Sequence, residues 1–170
     1  MKLRLTGAVL LALFTMLFVG AVPALAFDRS ANEATMLQLV NHVRVSRGLH
    51  AVRIAGPLDQ AALTHARDMI AHDYFAHSSL SGATAATRAR GAGYAVSGCS
   101  QWAVGEVIAW GVSARGIPQV VFKGWMRSSS HRRVILSSRW REVGIGCTRG
   151  SFQGMSDVLM YTIDFGRRVQ

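Results

Sequence analysis

Trp125-Met126-Arg127-Ser128-Ser129-Ser130-His131-Arg132-Arg133-Val134-Ile135-Leu136 is the stretch on which the fold turns. Pro118 upstream suits a first helical position, because its fixed φ is pre-set for the helix. Ile117, Val121 and Trp125 then share one helical face, with Ser128 near the end. The serine run predicts a helix end or turn just before His131, since serine competes with the helix for backbone hydrogen bonds. Trp125 reads as a core anchor and His131 as a polar group set among apolar neighbours. Two other short motifs have that character, Phe75-Ala76-His77 and Gly105-Glu106. The three predict one site, built by folding from His77, His131 and Glu106.

The first 26 residues stand apart from the fold. Lys2 and Arg4 precede an apolar run from about Ala8 to Val22, and Ala24-Leu25-Ala26 has the small-x-small form of a secretory cleavage site. Residues 1–26 therefore read as a signal peptide. An uncleaved anchor is the alternative, but the run is short for a bilayer span and ends at Pro23. Residues 27–170 are expected to form a single domain, with no further apolar run long enough to cross a membrane. The product is expected to be secreted or extracytoplasmic.

Export gives Cys99 and Cys147 a meaning, because a disulfide persists in an oxidising compartment. A bridge between them would close a long loop and stabilise by roughly 4 kcal/mol in the chain-entropy model. Two unrelated thiols are the alternative. Without the leader, 17 Lys and Arg face nine Asp and Glu. Such a balance favours anionic surfaces such as envelope polymers and lipid headgroups. The arginines are scattered and no recognition helix or aromatic–basic module is present, so no specific nucleic-acid partner is expected. Arg132-Arg133 forms a small cluster beside His131.

Ser30-Ala31-Asn32-Glu33 has the form of a capping box, and Met36, Leu37, Val40 and Val43 follow at helical spacing, predicting a helix over 31–47. Pro57 opens a second to about Asp73, with His65 read as a hydrogen-bonded structural histidine and a ligand or proton-transfer role as the alternative. A short helix is expected near 84–90, turns over 95–100, and a strand or strand-to-helix segment from Trp102 to Trp110. Strands over 142–148 and 157–165 close the chain. In the first, Val143, Ile145 and Cys147 face one way and glycines the other, permitting close approach of another element. Tyr161 and Phe165 read as core. Helices early and strands late predict an α+β fold with an antiparallel sheet covered by helices.

In order and spacing these motifs resemble the CAP/SCP superfamily of cysteine-rich secretory, antigen 5 and pathogenesis-related proteins, in its secreted bacterial form. The likeness runs through Asn41-x-x-Arg44-x-x-x-Gly48, His65-Ala66-x-Asp68-Met69, Phe75-x-His77-Ser78, Arg90-x-x-Gly93-Tyr94 and Gly105-Glu106. It continues through Trp125-x-x-Ser128-x-x-His131-Arg132, Ile135-Leu136, Val143-Gly144-Ile145-Gly146 and Tyr161-x-x-x-Phe165-Gly166. The resemblance implies an α-β-α sandwich whose cleft presents His77, His131 and Glu106. Ser128 stands where many eukaryotic relatives carry a second glutamate. Ser129-Ser130 replace Pro-Gly, and Val107 and Val134 replace asparagines.

Two imidazoles could hold a divalent metal such as zinc through His77 and His131, with Glu106 orienting a ring or a bound water. Without metal, Glu106 could tune a histidine that activates water. The expectation is a secreted binding domain, its ligand a lipid, an envelope polymer or another protein. The alternatives are a hydrolase or peptidase using the same cleft, and a structural envelope protein.

Overall fold

The computed structural model describes residues 27–94 and 99–169. The expected leader, and residues 95–98 of the expected turn, lie outside the described residues. Among the described residues, five helices and four strands follow in chain order: α1 Arg29–Val45, β1 Arg53–Ile54, α2 Gly56–Ala71, α3 Ala85–Gly91, β2 Gln101–Val112, α4 Pro118–Arg127, α5 Ser129–Ile135, β3 Glu142–Phe152 and β4 Met155–Val169. A 3-10 turn at Ser113–Gly116 joins β2 to α4. The sheet order is β1-β3-β4-β2, so β2 is an edge. Both long pairings, β3–β4 and β4–β2, are antiparallel; the two residues of β1 run parallel to β3.

The sheet is covered on both faces. Val143, Ile145 and Cys147 of β3 and Tyr161, Ile163 and Phe165 of β4 pack with Met36, Val40, Val121 and Trp125, which places α1 and α4 on one face. The opposite face meets α2, where Ala66 and Met69 pack on Val158 and Met160. The glycines of β3 explain how close α2 lies. A Cβ on Gly144 would stand 2.0 Å from the Leu58 carbonyl carbon, and one on Gly146 2.3 Å from the Leu63 amide nitrogen. This is the α-β-α sandwich expected from the motif order, with the apolar and glycine faces of β3 as read.

Two local readings are corrected. The cap of α1 is Asp28, whose carboxylate accepts from the Ala31 amide at 3.1 Å, while Ser30 donates to Asp28 at 2.8 Å. Glu33 is drawn away from any box: it takes the Arg29 Nε–H at 2.7 Å, one turn back, and the Cys147 amide at 3.1 Å. The helix end expected in the serine run falls at Ser128, but a second helix, α5, starts at once and carries His131 in its first turn.

The Cys99–Cys147 bridge is also corrected, because strand register keeps the thiols apart. Cys147 lies opposite Tyr161, whereas Ser100 bonds to Val169 at the far end of β4. Eight residues of strand separate those points, roughly 25 Å. A disulfide needs Cα atoms within about 7 Å. Both cysteines are free thiols. Burial pushes that of Cys147 up to about 12.

Candidate functional site

The site lies on the edge strand, where the two helical layers meet across β2. Glu106 sits mid-strand with its side chain only 4% exposed. One of its oxygens is ion-paired to Arg88 of α3, and the other meets His77 Nδ1 at 2.7 Å. Thr84 caps α3, holding it where Arg88 reaches the strand. The Arg88 guanidinium also donates to the carbonyls of His77 at 3.1 Å and Ala83 at 2.8 Å, so one side chain ties the loop to the carboxylate. His65, fully buried on α2, donates from Nε2 to the Ala76 carbonyl at 2.9 Å. It is the structural histidine expected, and its work is to seat the residue before His77.

Opposite Glu106 in the β2–β4 ladder is Asp164. It is fully buried beside Glu106, and among the described residues no amide, hydroxyl or cationic group donates to its oxygens. Burial first, and then the charge of Glu106, hold its carboxyl well above the usual carboxylate range. A neutral acid beside an ion-paired one is the usual result when two carboxyls share a site.

His131 approaches from the other layer. It is half-buried on α5, and its Nδ1 is buried without a partner among the described residues. The two histidines are pushed in opposite directions. Hydrogen bonding to Glu106 raises His77, against an opposing contribution from burial. Burial, and then the charge of His77, lowers His131. Around the ordinary imidazole value one ring favours its charged form and the other its neutral form.

From His131 an open groove of about 390 Å³ runs along β2. Its walls are Phe75 of the His77 loop, Ile108 and Trp110 of β2, and Val120 and Trp125 of α4, with Arg115 and Ser128 among its few polar members. Trp125 is the anchor expected: it is 2% exposed and donates from Nε1 to the Ile108 carbonyl at 3.1 Å. Ser128, in the place of the second acid, pairs with Ser130 at 3.0 Å. Val107 is fully buried toward α4, on the opposite side of the strand from Glu106.

These features together place the chain among known proteins. The model of the Cysteine-rich secretory protein family, CAP, matches residues 37–165. The chain belongs to that family. Among curated relatives, YkwD of Bacillus subtilis is 31% identical over 117 residues, covering 69% of this chain and 42% of its own length. The membrane protein YlbC of the same bacterium is 29% identical over 121 residues, 71% of this chain and 33% of its own. The chain thus spans less than half of either. An outer surface protein of Borrelia burgdorferi superposes with a TM-score of 0.69 at 17% identity, over 84% of this chain and 97% of that one. An extracellular SCP-domain protein of Bacillus anthracis gives 0.65 at 23%, over 82% and 41%. At such identities the likeness is one of fold.

Among the described residues no helix is long and apolar enough to cross a membrane. The structure brings His77 and Glu106 into contact and sets His131 within electrostatic reach of His77. No group of three His, Cys, Asp or Glu side chains forms a metal-binding set among the described residues. Both Glu106 oxygens are already engaged, which leaves the imidazoles as the available donors. Arg88 and Asp164 were missed by sequence reasoning. Asp164 had a signal, an acid inside the apolar run Val158–Phe165; nothing distinguished Arg88 from the other arginines.

Proposed function

We propose that this is an exported CAP-family binding module, released from residues 1–26, whose cleft takes a small amphipathic ligand. The observation that carries this reading is the continuity of the apolar groove with His131, a neutral-biased imidazole within electrostatic reach of the charge-biased His77. An acyl or similar chain lies against Phe75, Ile108, Trp110 and Val120, removing their surface from water. The polar end meets His77 as a charged donor and His131 as a neutral acceptor. Asp164 and Arg88 hold Glu106, and through it His77, in place.

The opposed histidines also favour a second reading, hydrolysis in this cleft, with His131 as general base and His77 as general acid. A divalent ion such as zinc would be held by His77 and His131 alone, with Glu106 orienting the His77 ring. It would supply Lewis-acid polarisation of a bound carbonyl or water.

Binding is tested with cis-parinaric acid, a fluorescent fatty acid, on the secreted protein after lipid stripping. Saturable binding weakened at least tenfold by Val120→Glu is the expected result. Equal binding by both proteins overturns the groove assignment. Zinc titration of wild type against His77→Ala/His131→Ala tests the metal; equal heats in both remove it. Peptide and ester turnover unchanged by His131→Ala removes the hydrolytic reading.

A further inference from the structure

Between Glu106 and Glu142 the chain carries Arg115, Lys123, Arg127, Arg132, Arg133, Arg139 and Arg141, and no Asp or Glu. This span forms the 3-10 turn, α4, α5 and the loop into β3. The two bounding glutamates do not neutralise it. Both are turned inward, with side chains 4% and 6% exposed, and are ion-paired to Arg88 and Arg168. Among the described residues none of the seven cations takes part in an ion pair.

Several of these arginines are nevertheless held in place. Arg132 donates to the Met126 carbonyl at 2.9 Å. Arg141 donates to the carbonyls of Ser138 at 2.7 Å and Trp140 at 2.8 Å. Arg139 lies over the Trp140 ring, 5.4 Å from its centroid. Carbonyls and a ring fix these guanidinium groups without cancelling their charge, so less side-chain entropy is lost when an anion arrives. Arg132 and Arg133 line an open groove of about 550 Å³ with Ser129, Ser137 and Ser138.

The composition of this face selects the kind of partner. Ser129, Ser130, Arg132, Arg133, Ser138 and Arg139 are exposed there. The exposed large apolar side chains lie elsewhere, at Val45, Ile54, Phe75, Leu80, Ile117 and Val120. A surface built to enter a bilayer combines cations with exposed apolar anchors. This one combines cations with hydroxyls, and guanidinium forks match phosphate oxygens two at a time. We infer that the α5 face, centred on the Arg132–Arg133 groove, docks a flexible polyanion with phosphodiester repeats, such as a polyol phosphate chain. The amphipathic ligand of the cleft and this chain occupy different surfaces, and neither assignment depends on the other.

The test uses the secreted protein with inorganic polyphosphate of defined length as probe, at several salt concentrations. Wild type is expected to bind with an affinity that falls steeply with salt, as counterions are released from the chain. Arg132→Gln/Arg133→Gln/Arg139→Gln is expected to weaken binding at least tenfold and flatten the salt dependence. Arg133→Gln/Arg139→Gln, which spares the Arg132 bond to Met126, is expected to weaken it severalfold. Cis-parinaric acid binding and circular dichroism, unchanged in both variants, show that fold and cleft survive. Equal polyphosphate affinity in wild type and the triple variant overturns the inference. So does tighter wild-type binding to phosphatidylglycerol vesicles than to polyphosphate, or no polyphosphate binding at 150 mM salt.

Discussion

Two buried glutamates in this protein have nearly the same start and different ends. Glu142, at the head of β3, and Glu106, mid-way along β2, are 6% and 4% exposed, and each is ion-paired to an arginine. Glu142 is enclosed: Arg168 grips both its oxygens at 2.7 and 3.0 Å, Tyr94 donates at 2.6 Å, and Arg53 lies at 3.8 Å. These partners, Arg168 first, hold its carboxyl below the usual range against an opposing effect of burial. Glu106 has one arginine, one exposed histidine and one buried acid as neighbours. A network whose members are all partnered specifies structure; one that ends in an exposed imidazole and a buried neutral acid is free to answer a ligand.

The largest test of that contrast is arginine removal. Arg88→Met strands Glu106 in the interior and is expected to cost about 3–5 kcal/mol in urea denaturation. Arg168→Met is expected to cost about half as much, because Tyr94 and Arg53 remain on Glu142. Equal losses, or the reverse order, would break the comparison. Tyr94→Phe removes a bond to a charged group and is expected to cost about 1.5–3 kcal/mol.

Asp164→Asn should stabilise, by about 1–2 kcal/mol at pH 8, since it removes an acid whose charged form is not accommodated. The sign follows from linkage. The folded value lies above the unfolded one, so the contribution of Asp164 is complete below the ordinary carboxylate range and lost as pH rises toward the folded value. The gain in melting temperature should therefore shrink between pH 8 and pH 5; a gain that grows on acidification contradicts it. Smallest is Glu106→Gln, read by NMR titration of the rings. The His77 midpoint should fall toward the ordinary value and that of His131 should rise. A stationary His77 midpoint would remove Glu106 as its partner.

Much of the fold was legible because it rests on local chemistry. Pro57 and Pro118 open helices where expected, the glycine face of β3 receives α2, and His77 finds Glu106. What failed depends on choices between near-equal partners or on distance. Asp28 outcompetes Ser30 as cap while Arg29 claims Glu33, a contest of nearby polar groups. The pairing of Cys99 with Cys147 failed because strand register, invisible along the chain, places Cys147 against the middle of β4 and the residue after Cys99 against its last residue. Alkylation of the unfolded, unreduced protein should label both cysteines; an oxidised monomer lighter by two hydrogens would restore the bridge. Arg88 and Asp164 enter the site through cross-strand and cross-layer contacts that no spacing rule encodes.

The close seat of α2 on β3 has a reach beyond packing. Gly146 meets the helix at Leu63, His65 stands just beyond it, and His65 grips the Ala76 carbonyl that carries His77. The glycine therefore serves as the datum from which the height of the cleft imidazole is set. A single methyl at Gly146 would tilt that reference, and the error would be read out at His77 as a ring out of register with its carboxylate.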